Sequence, residues 1–229
     1  MQRECQRGLQ SNNTERSSQL TIQEQKFSEA EAAGWFDGKV FGHDWTSCHF
    51  PTWANLLARY RDLPSRVIEV GSWEGRSALF FMNFLPQSQL VCIDTFEGGE
   101  EHRAHPEVFA NDLPEIERRF DANLAPFAHR LEKRKAPSAV ALTELGIDGR
   151  RFDIAYIDGS HCSADVYGDG VLTWSMLVRG GIMIFDDYEW EWMSEPRSNP
   201  RLGIDSFLRA FEGQYRTIHK GYQIALERL

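Results

Sequence analysis

Short, largely apolar runs that alternate with helical segments are the feature that most restricts how this chain can fold. The clearest runs are residues 66–70, 89–93, 152–157 and 181–185, and a segment with helical spacing follows each of them. Apolar strands separated by helices are typical of a mostly parallel sheet that is covered on both faces. The pattern therefore predicts an α/β, Rossmann-like, doubly wound fold.

Three further runs complete the predicted sheet, at residues 130–135, 214–219 and 222–227. The last two are separated by a connection so short that they must pair antiparallel. We therefore predict a seven-stranded, mostly parallel sheet with an antiparallel C-terminal strand and helices on both faces. The predicted helices are 51–61, 75–85, 113–125, 138–145, 164–178 and 203–211.

The 229 residues are enough to bury one sizeable core. Residues 1–20 are rich in Gln, Ser, Asn and Arg, which predicts a disordered tail. Residues 21–64 are interpreted as an N-terminal helical segment that acts as a lid, and residues 65–229 as the main domain.

Composition excludes several classes of partner. A net charge of −9 disfavours nucleic acid, because the average field repels a phosphate backbone. No apolar run approaches the roughly 18 residues of a spanning helix, so no membrane association is expected. The four cysteines form no C-x-x-C pair, which favours a reducing, cytoplasmic location. Nothing in the composition decides against a homo-oligomer.

The first strand of the main domain runs into a glycine turn, Glu69-Val-Gly-Ser-Trp-Glu-Gly-Arg-Ser77. Its acidic-x-Gly-x-x-x-Gly spacing differs from the G-x-G-x-x-G of nicotinamide-binding domains. An ordinary tight turn between strand and helix is the alternative.

The second strand ends at Asp94, where a carboxylate can accept hydrogen bonds from a ribose, although it can also cap a helix.

Three carboxylates follow the fourth and fifth strands: Asp158, Asp186 and Asp187. Like charges at close range repel, and a divalent cation is the simplest way to neutralise them. Alternatively, Asp187 caps the next segment and only the other two face the cleft. His161 lies three residues after Asp158, where a neutral imidazole can accept a proton or simply bond to backbone.

Together, these segments resemble the class I S-adenosylmethionine-dependent methyltransferases over about residues 65–229. Within that superfamily, Asp158, Asp186 and Asp187 resemble the magnesium ligands of the catechol and macrolide-sugar O-methyltransferases. His161 is similar in position to their catalytic base, which is a lysine in the first group and a histidine in the second. The resemblance implies S-adenosylmethionine as cofactor, with Mg²⁺ or another divalent cation. It implies Glu69, Gly71 and Ser72 at the methionine end, with Trp73, Gly75 and Ser77 in the same loop, Asp94 and Thr95 at the ribose, Ser138 near the adenine, Asp158, Asp186 and Asp187 at the metal, and His161 with Asp158 as catalytic residues.

The expected function is therefore O-methylation of a small-molecule hydroxyl, on a sugar or another secondary metabolite. The segments 97–111 and 188–200 are long for a minimal domain and are where we expect the acceptor to bind. The alternatives are a metal-independent N- or carboxyl-methyltransferase, a non-catalytic nucleotide-binding module and, least favoured, a nicotinamide oxidoreductase. Four aromatic residues are candidates for the walls of the acceptor pocket, with core packing as the equal alternative for each: Trp73, Tyr188, Trp190 and Trp192.

Overall fold

A computed structural model describes residues 27–28, 32–190, 192 and 195–229. The tail predicted over residues 1–20 lies outside the described residues. The division at residue 65 stays a prediction.

The seven strands form one sheet in the order β3-β2-β1-β4-β5-β7-β6. All neighbours from β3 to β5 pair parallel, whereas β7 pairs antiparallel with both β5 and β6. The predicted sheet and its antiparallel last strand are therefore confirmed. The strands are β1 (Arg66–Val70), β2 (Gln89–Asp94), β3 (Leu131–Lys135), β4 (Phe152–Ile157), β5 (Leu177–Phe185), β6 (Tyr215–Lys220) and β7 (Ile224–Arg228).

Eight α-helices lie in the described part of the chain. They are α1 (Phe50–Leu57), α2 (Arg76–Phe84), α3 (Glu100–Ala104), α4 (Pro106–Phe109), α5 (Ile116–Leu124), α6 (Ser138–Ile147), α7 (Ser163–Met176) and α8 (Pro200–Ala210). Single 3₁₀ turns occur at Gly34–Phe36, Ser47–His49, Ala58–Tyr60, Leu113–Glu115, Ala125–Phe127 and Pro196–Ser198.

Two cores lie on opposite faces of the sheet, because successive strand residues point to opposite sides. Val67 packs in the core that contains buried residues of α1, α2 and α5. Its neighbour Ile68 packs in the other core, with α6, α7 and α8. Helices therefore cover both faces, as predicted.

The segment before β1 is joined to the sheet through α1. Pro51 suits the first turn of that helix, where no backbone N–H is needed. Trp53 is fully buried against Phe81 and Tyr156. Its indole Nε1 donates to Oε1 of Gln223 across a distance of 2.6 Å. The segment is thus tied to the loop between β6 and β7.

The boundary between α7 and β5 differs most from the sequence prediction, whereas the other predicted helices and strands differ from it only at their ends. The seventh helix ends at Met176 and β5 begins directly at Leu177, although a helix to 178 and a strand from 181 were expected. Gly180 has a φ of +77°, and the register of β5 against β4 is irregular before Ile182. The residues before Gly181 therefore do not show the regular pattern by which a strand is predicted. The expected insertion at 97–111 contains the short helices α3 and α4.

No helix among the described residues is long and apolar enough to cross a membrane.

Candidate active site

A cavity of about 1000 Å³ opens at the carboxyl ends of the central strands. Ligands of doubly wound sheets bind at this edge. The structure brings eleven of the predicted site residues to its lining, namely Gly71, Ser72, Trp73, Ser77, Asp94, Thr95, Ser138, Asp158, His161, Asp186 and Asp187. Glu69 and Gly75 do not line it.

Gly71 makes the turn at the end of β1 with φ +85°. A Cβ at this position would lie 1.8 Å from the backbone oxygen of Asp158. The Gly71 N–H donates to the carbonyl of Ile93, 2.9 Å away. Only glycine fits here, and the turn therefore brings the ends of β1, β2 and β4 together.

Asp94 is held by backbone at the end of β2. Its Oδ2 accepts the N–H of Trp73 at 2.8 Å, and its Oδ1 accepts the N–H of Phe96 at 2.6 Å. Burial raises the pKa of Asp94, and the backbone N–H groups offset only part of that effect. Each carboxylate oxygen keeps a further lone pair. Asp94 is therefore suited to accept hydrogen bonds from a pair of sugar hydroxyls.

Glu69 lies behind the glycine turn and is fully buried. Its Oε2 accepts from the Ser72 hydroxyl at 2.6 Å and from the Cys92 thiol at 3.2 Å. Burial raises the pKa of Glu69 to about 7. Where cofactor contact was predicted, the structure shows a carboxyl that supports the turn from beneath.

Gly75, also predicted to contact the cofactor, faces the protein interior. At φ +81° it precedes α2, and a Cβ would meet Leu124 and Phe120 of α5 at 3.0 and 3.1 Å. Its lack of a side chain allows α5 to pack closely against the turn. The need for glycine at this position thus comes from the left-handed backbone together with the close packing of α5.

The three predicted acids converge at the ends of β4 and β5. The Tyr156 hydroxyl lies 2.9 Å from Oδ2 of Asp158 and also bonds to Oδ2 of Asp186. Asp187 accepts the hydroxyl of Tyr222 at 2.8 Å. Tyrosine hydroxyls therefore relieve part of the carboxylate repulsion that a cation was expected to neutralise.

His161 relieves much of the remaining repulsion among these carboxylates. Its Nε2 lies 2.8 Å from Oδ2 of Asp187, and its Nδ1 lies 3.3 Å from Oε1 of Glu101. Burial by itself lowers the pKa of His161, but these two carboxylates raise it well above its ordinary value. Burial raises the pKa of Asp187, but His161 and Tyr222 outweigh it and lower the pKa. The two residues form an ion pair within the cluster.

Among the residues that the structure describes, none gives Asp158 such a cationic partner in direct contact. Burial, reinforced by the charges of Asp186 and Asp187, raises the pKa of Asp158 well above its usual range. A buried carboxyl that is costly to ionise gains most from a nearby cation.

One ligand atom each from Asp158, His161 and Asp187 lies within 4.8 Å of the others. Two oxygens and an imidazole nitrogen at this spacing fit a divalent cation. Two of the three predicted acids, Asp158 and Asp187, belong to this set. The third, Asp186, is already hydrogen-bonded: its Oδ1 accepts the Asp187 N–H at 2.7 Å, and its Oδ2 accepts the Gln223 amide at 2.8 Å.

Aromatic rings surround the space in front of the cluster. Trp73, Trp190 and Trp192 line the cavity, and the Trp190 ring centroid lies 4.4 Å from that of His161. Tyr188 does not line it: the side chain is buried in the core and its hydroxyl donates to Asp205 at 2.9 Å. Of the two alternatives for Tyr188, core packing is therefore the correct one. The chain turns sharply at Asp187, φ +60°, which directs Tyr188 inward.

Several lining residues were missed by sequence reasoning. The segment before β1 contributes Trp45 and His49, and the insertion contributes Glu101 and His102. The density of aromatic residues between 34 and 49 was the available signal. Tyr222, between β6 and β7, had none, because its position depends on how β7 inserts beside β5.

Comparison with known proteins agrees with this geometry. The sequence profile of a family described as "Methyltransferase domain" matches residues 68–188, slightly more than half of the chain. No curated protein sequence matches significantly.

Solved structures share the fold at low identity. The MycE methyltransferase of the mycinamycin biosynthetic pathway, solved with Mg, SAH and mycinamycin VI, has a TM-score of 0.61 and 16% identity, covering 87% of this chain and 53% of its own. This chain thus spans about half the length of MycE. The O-methyltransferase TomG from Streptomyces achromogenes, in complex with SAM, has a TM-score of 0.60 and 16% identity, covering 89% of this chain and 92% of its own. An O-methyltransferase from Bacillus cereus in complex with SAH has a TM-score of 0.58 and 16% identity, covering 87% and 90%.

The matched residues contain the glycine turn, Asp94 and the acid cluster, and the sheet order is that of the neighbours' fold. The chain therefore belongs to the class I S-adenosylmethionine-dependent methyltransferases.

Proposed function

We propose that the protein transfers the methyl group of S-adenosylmethionine to a hydroxyl of a small molecule, a sugar or another secondary metabolite, with the help of a divalent cation. The observation that carries this proposal is the convergence of Asp158, His161 and Asp187 within 4.8 Å at the cavity. A nucleoside site alone has no use for such a cluster.

The cofactor is proposed to lie across the ends of β1 and β2. Asp94 accepts the ribose hydroxyls, and Gly71 and Ser72 lie at the methionine end. Ser138, the first residue of α6 and part of the cavity lining, is placed at the adenine. Trp73, Ser77 and Thr95 complete the lining of this half.

The cation is proposed to be held by Asp158 and Asp187, with Asp186 as the third carboxylate. Mg²⁺ prefers oxygen ligands, which favours the three acids over the imidazole. Oδ1 of Asp186 accepts only the Asp187 N–H and retains a lone pair for a cation, whereas Oδ2 already accepts from Tyr156 and Gln223. A cation held here would lower the pKa of a hydroxyl bound to it and so prepare the acceptor for attack.

His161 is proposed to take the acceptor's proton. Against the effect of burial, Asp187 and Glu101 raise the pKa of His161. A cation held by Asp187 would offset the charge of that carboxylate, and a ring nitrogen of the neutral imidazole would then be free to accept a proton. The acceptor oxygen forms a bond to the methyl carbon while the sulfur–methyl bond breaks. The bonding electron pair stays on sulfur, giving S-adenosylhomocysteine, and the proton resides on His161. The aromatic walls exclude water and hold the acceptor in line.

Calorimetry with S-adenosylhomocysteine and with NAD tests the cofactor assignment. We expect saturable heat from the first ligand and none from the second, and the reverse result would contradict the assignment.

The cation is tested by Mg²⁺ titration of the S-adenosylhomocysteine-loaded protein and by turnover of an acceptor panel after EDTA treatment. We expect EDTA to abolish turnover and Mg²⁺ to restore it. The His161→Ala variant should keep Mg²⁺ binding and lose turnover by roughly 10²–10⁴-fold. Loss of Mg²⁺ binding in that variant would make His161 a ligand. Full turnover in EDTA would favour a metal-independent methyltransferase acting on nitrogen or a carboxylate.

A further inference from the structure

An ion pair on the cavity wall has no part in the reaction proposed above. Arg76 is the first residue of α2, at the end of the glycine turn, and Asp44 lies in the segment before β1. Nη2 of Arg76 lies 2.6 Å from Oδ2 of Asp44. Both residues line the cavity, as does Ser47 beside them. The pair is therefore in contact with the space in which the cofactor is proposed to lie.

The guanidinium of Arg76 is held from several sides. The Ser47 hydroxyl oxygen accepts from its Nε at 3.1 Å and from its Nη2 at 2.9 Å. Its Cζ lies 4.5 Å from the ring centroid of Phe36 and 4.8 Å from that of Phe41, at the distance of a cation–π contact. A guanidinium that is already fixed in this way loses little further freedom when it binds a ligand.

These contacts leave hydrogen-bond donors unused. A guanidinium has five N–H donors, and those on Nε and Nη2 are directed at Ser47 and Asp44. Within the part of the chain that the structure describes, Nη1 of Arg76 makes no hydrogen bond. The Ser47 oxygen already accepts two hydrogen bonds, so its own hydrogen is still available to donate. Donors from Nη1 and from Ser47 therefore remain for an anionic group.

Asp44 offers the opposite charge next to these donors. Its Oδ1 accepts the Ser47 N–H at 3.0 Å, its Oδ2 accepts from Arg76, and each oxygen keeps a further lone pair. One cation with free donors and one anion with free acceptors thus lie side by side. An α-amino acid carries a carboxylate and an ammonium on the same carbon, which is the complementary arrangement of charges.

We propose that Arg76 and Asp44 bind the amino-acid end of the cofactor, with Arg76 and Ser47 donating to its carboxylate and Asp44 accepting from its ammonium. The inference rests on the proposed function, which places the methionine end at Gly71 and Ser72. Arg76 lies within the same turn, and the start of a helix also favours an anion. The segment before β1 thereby contributes to the cofactor site.

A similar ion pair at the other end of β1 provides a matched control. Nε of Arg66 lies 3.2 Å from Oδ2 of Asp153, and this pair lies outside the cavity lining. Arg66→Met removes the same chemical groups as Arg76→Met. In the second variant, the unbranched methionine side chain can still pack on Phe36 and Phe41.

Calorimetry with three ligands tests the proposal. S-adenosylhomocysteine has both charged groups, its decarboxylated form has only the ammonium, and 5′-methylthioadenosine has neither. Arg76→Met should weaken binding of S-adenosylhomocysteine by about 10-fold to 100-fold, the effect of lost hydrogen bonds to a charged group, and leave the other two ligands within about twofold. Asp44→Asn should weaken both ligands that have the ammonium by about tenfold. Arg66→Met should change none of the three affinities.

The pattern across ligands separates binding from folding. Retained binding of 5′-methylthioadenosine shows that a variant folds and keeps its nucleoside site. Equal losses for all three ligands in Arg76→Met would mean that Arg76 only shapes the glycine turn, and would overturn the inference. An unchanged affinity of that variant for S-adenosylhomocysteine would overturn it as well, while leaving the methyltransferase proposal intact. Failure of the wild type to bind S-adenosylhomocysteine would contradict the proposed function and this inference together.

Discussion

The two carboxylate sites at the edge of the sheet are built in different ways. Asp94 is fixed by backbone N–H groups of Phe96, close to it in sequence, and of Trp73, in the glycine turn after the neighbouring strand β1. The acids after β4 and β5 are fixed by side chains, chiefly Tyr156, Tyr222 and Gln223. Backbone donors come with the strand-to-helix turn itself. Side-chain donors have to be delivered by other elements, and two of these come from the C-terminal hairpin.

The difference separates binding from chemistry. A backbone-built site tolerates changes in the surrounding sequence as long as the turn is kept. A side-chain-built site depends on the identity of each partner. We therefore expect substitutions at the cofactor edge to act on affinity, and substitutions at the acid cluster to act on turnover.

The largest expected effect is on Asp158. Asp158→Asn should reduce turnover by roughly a thousandfold, because it removes both a proposed cation ligand and the charge that stabilises it. Affinity for S-adenosylhomocysteine should change little. Steady-state kinetics and calorimetry measure the two quantities. Asp153→Asn is the control, since Asp153 lies near the opposite end of the same strand and pairs with Arg66. Equal losses in both variants would mean that β4 itself is damaged and would break the comparison.

A second test concerns Glu69, beneath the glycine turn. Its pKa is raised by burial from an ordinary 4.5 to about 7. Between these values the folded state binds more protons than the unfolded state, so stability falls as pH rises through this window. Wild type should therefore lose roughly 2–3 kcal/mol more than Glu69→Gln between about pH 5 and pH 8. Urea unfolding at both pH values measures this, with exposed Glu144→Gln as control. A parallel pH dependence in wild type and Glu69→Gln would show that Glu69 is ionised in the folded protein.

The smallest expected effect is at Asp94. Asp94→Ala should weaken S-adenosylhomocysteine binding by roughly 1–3 kcal/mol, the cost of leaving ribose hydroxyls unpaired. The variant should also melt at a lower temperature, because the N–H groups of Trp73 and Phe96 lose their acceptor. Calorimetry and thermal melting check both effects, and Asp121→Ala, on the exposed face of α5, is the control. An unchanged affinity in Asp94→Ala would contradict the placement of the nucleoside at the end of β2.

The sequence was informative where an interaction is local. The strands β1 and β4 have the predicted bounds, because each is a buried run between polar residues. The glycine turn and Asp94 were found because a strand end and a spacing define them. Glycine is required at position 71 because a Cβ there would collide with the backbone of Asp158. The sequence spacing points to the glycine but not to this contact.

What the sequence could not predict depends on distant pairs. Glu101 and His161 are 60 residues apart, and a glutamate in a polar insertion is expected to be exposed. The roles of Tyr156 and Tyr222 follow from strand order, which places the hairpin beside β5. For Tyr188 the sequence left the pocket wall and the core as alternatives, because no spacing rule anticipates the left-handed backbone of Asp187 that precedes it.

Gln223 joins two parts of the molecule that are far apart in the chain. Its Oε1 accepts the indole of Trp53 on α1, and its Nε2 donates to Asp186. One amide therefore spans the distance from the N-terminal segment to the acid cluster. In a chimera whose residues before β1 come from another methyltransferase, Trp53 and Gln223 would have to be exchanged together. Exchanging Trp53 alone would leave the Gln223 amide oxygen without its hydrogen bond, next to the carboxylate of Asp186. A new N-terminal segment grafted onto this domain therefore has to be matched to a residue between β6 and β7, near the other end of the chain.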